Sequence, residues 1–123
     1  PISIKNFRRV DRGTSGAVSL LGTCAAVMGS LLIALASYLI FELRIAEFYF
    51  ILLLGFTGNL IDTLLGAFVQ AGYQCPNCGL KTEKTIHCGQ NTNLITGYPF
   101  FNNDTVNFLS GFFTLIVGIL ILG

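Results

Sequence analysis

Asn59, Asp62, Gly66 and Gln70 follow one another at steps of three, four and four within GFTGNLIDTLLGAFVQ, residues 55–70. On a helix that spacing puts all four on one face. The remaining faces are Leu, Ile, Phe and Ala. A carboxylate near the middle of a membrane helix costs about 2.5–3.5 kcal/mol on insertion scales, and it is tolerated where it meets a cavity, a metal or a partner. Two readings follow for Asp62: a hydrogen bond that glues two helices together, or a cation or phosphate site at the ends of packed helices. Asp104, Asn107, Gly111, Thr114 and Gly118 repeat the pattern, a carboxylate and an amide on an otherwise apolar helix. The apolar runs hold no His and no basic residue, so neither an imidazole base nor a salt bridge is open to Asp62 within them. Hard oxygen ligands of this kind suit Mg²⁺, which takes one or two carboxylates plus the phosphates of its substrate. Asp62 and Asp104 are therefore the candidate catalytic and Mg²⁺-binding residues, with Asn59, Gln70 and Asn107 beside them.

A second group is GTSGAVS, Gly13 to Ser19, leading into an apolar run. Read as a helix start, its backbone N–H groups and the hydroxyls of Thr14, Ser15 and Ser19 can hold phosphate oxygens, and Gly13 and Gly16 loosen the approach. Arg8, Arg9 and Arg12 stand upstream as candidate phosphate clamps. The stretch is neither a Walker A loop nor GxGxxG, and a plain N-cap beside a basic cluster accounts for it equally well.

The third group is Cys75-Pro-Asn-Cys78-Gly, followed by His87-Cys88. A CPxCG turn points both thiolates one way, as zinc sites require. His87 and Cys88 make up four ligands, although adjacent ligands are geometrically awkward. A structural Cys/His zinc site, a redox or idle thiol pair and a disulfide all stay open. Cys24 lies in an apolar run and reads as a small apolar residue. Asn103-Asp104-Thr105 matches a glycosylation sequon but abuts a membrane span, and it is discounted.

The elements that must position these groups are membrane helices. Of the 123 residues, 53% are hydrophobic and only 11% charged, against about 25% charged in soluble domains. The pattern predicts an all-α, polytopic membrane protein with spans at 18–41, 48–70 and 105–122, each able to cross about 30 Å of hydrocarbon. Residues 1–17 form a basic Gly/Ser/Thr segment, 42–47 a short charged turn, and 71–104 a Cys-rich loop expected to hold little regular structure. Lys and Arg concentrate in 1–17 and 71–104, which places both on the cytoplasmic side. That topology gathers Gly13–Ser19, Gln70, Asp104 and the Cys-rich loop at one mouth. A net charge of +1 gives no reason to expect nucleic acid. Three spans make a thin bundle, and the chain begins at Pro1 without a signal peptide. More helices are therefore expected, from a missing N-terminal half or from a second copy in a homo-oligomer.

Taken together, RVxxGTSGAVSLLGT, GNLIDTLLGAFVQ, CPxCGxKTEKxxHCG and NDTVNFL resemble an integral membrane family of archaea, bacteria and plastids. That family includes the plant phytyl-phosphate kinase of tocopherol biosynthesis. The ordered set covers most of the chain and is far more specific than any one motif. The resemblance implies that this is the family's C-terminal half. It is distantly similar to dolichol kinases and phosphatidate cytidylyltransferases, which use CTP and Mg²⁺. It implies a CTP-dependent kinase that converts an isoprenyl monophosphate to the diphosphate, with the mouth on the cytoplasmic or stromal side. A lipid-phosphate cytidylyltransferase, or a transporter whose polar stripes line a pathway, are the rival readings.

Overall fold

The computed structural model describes residues 1–11 and 14–122. Among these residues the chain forms three long helices: α1 (Leu20–Ile40), α2 (Ile45–Phe68) and α3 (Asn103–Leu122). All three are long and apolar enough to cross a membrane. They fall within a few residues of the expected spans, and the differences lie at the caps. Ser19 is the N-cap of α1, its hydroxyl accepting the Gly22 N–H at 3.1 Å. The helix ends through Glu42, which adopts a left-handed φ of 51° while the Leu43 N–H bonds the Tyr38 carbonyl at 3.2 Å. That closure satisfies a carbonyl the helix would otherwise orphan, in a position that glycine usually fills.

Helix α2 starts at Ile45, three residues earlier than expected. Glu47 accepts the Arg44 N–H at 2.8 Å and pairs with the Arg44 guanidinium at 2.9 Å, so two charges placed in the turn serve the first helical turn instead. Helix α3 starts at Asn103, two residues early, because the Asn102 side chain caps the Thr105 N–H at 2.9 Å.

Antiparallel α1 and α2 pack together, as do α2 and α3, so α2 is the element both neighbours share. The contacts run through small residues. A Cβ on Gly58 would lie 2.9 Å from the Thr114 hydroxyl, one on Gly118 would lie 2.8 Å from Leu54, and one on Gly55 would lie 3.1 Å from the Ser30 hydroxyl. Lipid tails are as apolar as Leu, so close van der Waals packing rather than water exclusion joins such helices. Ser30, Thr57, Thr63 and Thr114 return their hydroxyls to the carbonyl four residues back, at 2.7–2.8 Å. The hydroxyl stripes are thereby satisfied within their own helices. Most Leu, Ile and Phe of the helices point outward.

The extramembrane segments are more regular than expected. Strands β1 (Ile2–Ser3) and β2 (Ala17–Val18) pair antiparallel and fold residues 1–18 back on themselves. Residues 71–102, expected to be irregular, hold five short strands: β3 (Gly72–Gln74), β4 (Lys81–Thr82), β5 (Ile86–His87), β6 (Gln90–Asn91) and β7 (Asn93–Thr96). They form a three-stranded antiparallel sheet in the order β4-β3-β7 and a separate β5-β6 hairpin. Strands of two to four residues are too short for alternation to register in sequence. The β3–β7 pairing also joins residues as far apart as Gly72 and Thr96, so only the folded chain reveals it.

Two glycines set how this module meets the helices. Gly97 has φ +66° and sits directly on the backbone of Gln70, while the Ala71 N–H bonds the Phe101 carbonyl at 2.8 Å. Gly16 has φ +69° and lies against the Ala67 backbone, so the N-terminal segment crosses the end of α2 at backbone distance.

These backbone positions predict opposite effects. Gly16→Ala should lower stability by about 2 kcal/mol or more, from the left-handed φ and the collision with Ala67. Glu42→Gly should be neutral or stabilising by up to about 1 kcal/mol, because it relieves the left-handed cost at the end of α1. Denaturant unfolding in detergent micelles measures both, and a Gly16→Ala protein as stable as the parent would refute the close crossing.

Candidate functional site

A cavity of about 600 Å³ opens where the N-terminal segment, the end of α2 and the sheet converge. Its size falls within the range of small-molecule sites, roughly 300–1,000 Å³. Lys5, Thr14, Ser15, Gln70, Lys81 and Glu83 supply its polar lining. In its lining the Glu83 carboxylate accepts the Ser15 hydroxyl at 2.7 Å and the Gln70 amide at 2.8 Å. One oxygen, Oε1, takes both bonds. Gln70 is 7% exposed, so its side chain is held by the turn after α2 and aimed at Glu83.

The sequence reading anticipated part of this cluster. Thr14, Ser15 and Gln70 do line the same cavity. Glu83, Lys5, Lys81 and Asp11 were missed as site residues, although KTEK (81–84) stood inside the motif that carried the family resemblance.

Thr14–Val18 does not form a helix start. Thr14 sits in a turn, its hydroxyl bonding the Asp11 carbonyl at 2.9 Å, and Ala17–Val18 is strand before α1 begins. The hydroxyl of Ser19 is committed to capping α1. Gly16 serves the crossing over Ala67. Arg12 and Gly13 lie outside the described residues.

Asp62 is half-buried on the seam between α2 and α3, where it shares the Ser110 hydroxyl, at 3.3 Å, with the Asn107 carbonyl at 2.9 Å. It has the helix partner that one of the two readings required. Asn59 and Asn107 are exposed on α2 and α3, and Asp104 is exposed in the first turn of α3. Because Asp62 is level with Ser110, Asp104 sits six residues higher on its helix, roughly 9 Å along the axis. One Mg²⁺ with bonds near 2.1 Å needs ligand oxygens within about 4 Å of each other. In this arrangement a single ion does not take both carboxylates. Neither acid lines the cavity.

The Cys-rich loop brings its four candidate ligands together. One donor atom from each of Cys75, Cys78, His87 and Cys88 lies within 4.8 Å of all the others. Cys75 and Cys78 sit on a tight turn closed by Gly79, with the Gly79 N–H on the Cys75 carbonyl at 2.9 Å and the Cys75 N–H on the Leu80 carbonyl at 2.9 Å. His87 and Cys88 converge because Cys88 and Gly89 take φ of +52° and +71° in the two-residue turn of the β5-β6 hairpin. That is the mirror-image turn of tight hairpins, and it folds two adjacent side chains towards one point. Backbone N–H groups of Cys78 and Asn77, with His87, lower the Cys75 thiol to about 6 against burial. The neighbouring sulfur of Cys78, with burial and Cys75, raises the Cys88 thiol to about 11. All four cysteines are free of disulfides.

The family described as integral membrane protein DUF92 matches residues 1–115. This chain belongs to that family. It is 38% identical over 73 residues to an uncharacterized membrane protein of Methanocaldococcus jannaschii, covering 57% of this chain and 29% of the relative. It is 30% identical over 123 residues to Protein PGR of Arabidopsis thaliana, covering 89% of this chain and 41% of the relative. The chain therefore spans less than half the length of either relative. No solved structure matches it.

The cavity generates a specific expectation. Ser15→Ala and Glu83→Ala should each destabilise the protein, and the double variant should fall short of their sum by about 0.5–1.5 kcal/mol. A double-mutant cycle in micelles measures the coupling. Strict additivity would mean that Ser15 and Glu83 do not bond.

Proposed function

We propose that the protein is part of a CTP-dependent membrane kinase that phosphorylates an isoprenyl monophosphate of the phytyl or geranylgeranyl type. The observation that carries this reading is the cavity at the end of α2, in which the Lys5 and Lys81 ammonium groups, the Asp11 and Glu83 carboxylates and several hydroxyls, Thr14 and Ser15 among them, converge. A lipid monophosphate must present its head at the membrane surface while its chain stays in the bilayer. The four-part motif set that resembles phytyl-phosphate kinases supports the same reading. Lys5, Arg8, Arg9, Lys81 and Lys84 lie in the segments at this end and Arg44 at the other, which supports a cytoplasmic or stromal mouth.

In the proposed step an oxygen of the lipid phosphate attacks the γ-phosphorus of CTP. The new P–O bond forms as the bond from the γ-phosphorus to the bridging oxygen breaks, and CDP leaves. Such transfer needs positioning and charge neutralisation and little covalent chemistry from the protein. Lys5, Lys81 and the Ser15 hydroxyl would hold phosphate oxygens. Mg²⁺ would supply the main neutralising charge, with Glu83 and Asp11 as acids at the cavity and Asp62 and Asp104 as acids on the helices.

The test is product analysis of the full-length protein in micelles with CTP, Mg²⁺ and phytyl or geranylgeranyl phosphate. CDP and a lipid diphosphate are expected; released inorganic diphosphate would replace the kinase with a cytidylyltransferase, and no CTP turnover would refute both. Single variants then locate the metal. Asp62→Asn and Glu83→Gln each keep size and remove charge, and the acid that binds Mg²⁺ should cost about 10²-fold or more in kcat when neutralised. Near-parental turnover of Asp62→Asn at limiting and saturating Mg²⁺ would leave Asp62 as a packing group bonded to Ser110.

A further inference from the structure

The Cys-rich module lacks what normally holds so small a structure together. Among the described residues of 71–102, only Ala71, Tyr73 and Cys75 are buried. Leu80, Ile86, Leu94 and Ile95 are 42–61% exposed. The β5-β6 hairpin has two residues per strand, and isolated hairpins of that size are marginal in water. Modules without an apolar core fold around disulfides or metals.

At the point where a core should be stand three thiols and an imidazole. The Cys78 and Cys88 sulfurs are 3.8 Å apart, and His87 Nδ1 lies 3.5 Å from Cys78 and 3.2 Å from Cys88. A tetrahedral ion with metal–sulfur bonds near 2.3 Å and a metal–nitrogen bond near 2.0–2.1 Å sets edges of roughly 3.5–3.8 Å. No disulfide joins the thiols: the Cys78 and Cys88 sulfurs, at 3.8 Å, lie beyond the roughly 2.05 Å of an S–S bond. A redox pair built on Cys75 and Cys78 is also disfavoured. The two occupy a turn between strands rather than a helix N-terminus, and two further donors crowd the same point.

We infer that Cys75, Cys78, His87 and Cys88 form a structural zinc site that closes the segment between Cys78 and His87. Three thiolates with one imidazole are a donor set that zinc favours over hard cations. Zinc gains the thiolates by displacing their protons. The closed segment carries Lys81 and Glu83 to the cavity, where Glu83 meets Ser15 and Gln70. The ion thus acts as the core of the module and as the pin that holds its polar strap against the end of α2. Four protein ligands leave no open coordination position, so its role is structural. The inference stands whether or not the cavity binds a nucleotide.

The test is metal analysis of the full-length protein, purified in micelles without chelator and then incubated with equimolar Zn²⁺. About one zinc per chain is expected, with X-ray absorption showing three sulfurs and one nitrogen at the distances above. Cys78→Ser and Cys88→Ser together should reduce zinc below about a tenth per chain, while Cys24→Ser, in α1, should leave it unchanged. His87→Cys keeps a donor at that position and should retain zinc with a four-sulfur shell, which separates loss of a ligand from loss of fold. Less than a tenth of a zinc in the parent protein, iron in its place, a disulfide among the three thiols, or full zinc in the double variant would each overturn the assignment.

Discussion

Close backbone approach along α2 is the constraint on which the rest depends. Apolar side chains gain nothing from leaving lipid for one another, so helices in a bilayer associate where small residues let main chains meet. Gly58 under Thr114, Gly55 against Ser30 and Gly118 under Leu54 are such places. They commit α2 to both neighbours and fix its height and rotation. Everything beyond the membrane is then built on the end of that one helix.

The end of α2 organises three chain segments at once. Gly66 and Ala67 receive the turn at Gly16, the Gln70 carbonyl lies under Gly97, and the backbone runs directly into the central strand β3. The cavity is the space these crossings leave. Its polar centre follows from the same geometry, because Gln70 is buried by the crossing and needs a partner. Buried amides are costly when unpaired, and the carboxylate of Glu83 supplies that partner while also taking the Ser15 hydroxyl. A structural hydrogen bond and a candidate phosphate or cation site are therefore the same group of atoms.

Polar groups within the membrane follow a different economy. Hydroxyls on α1, α2 and α3 bond their own helix carbonyls, and among the described residues the Ser110 hydroxyl, bonded to the Asn107 carbonyl, also reaches Asp62 across the α2–α3 seam. The carboxylate meets a hydroxyl at a seam rather than lipid, which is how an acid at that depth is tolerated. The extramembrane module solves the opposite problem. It has water on its outer face and almost no apolar core, so convergent soft donors at Cys75, Cys78, His87 and Cys88 take the place that buried side chains hold elsewhere.

The three helices were legible in the sequence because hydrophobic length is a property of consecutive residues and the bilayer imposes it from outside. The shared face of Asn59, Asp62 and Gln70 and the CPxCG turn were legible for the same reason, since each is a local spacing. The tertiary structure alone decided which of these residues meet. Asp62 and Asp104 looked equivalent as acids on polar stripes, yet antiparallel packing sets them at different depths. Gly13–Ser19 looked like a phosphate-binding helix start, and pairing of Ala17–Val18 with Ile2–Ser3 makes its described part a turn and a strand. The spacing of His87 and Cys88 looked unfavourable until two left-handed residues folded their side chains together. Glu83 stood inside the KTEK stretch of the family motif, but nothing local marked it as a site residue, because its two partners lie 68 and 13 residues away. Contacts across such distances depend on how the chain is closed by packing, and local residue spacing does not encode that closure.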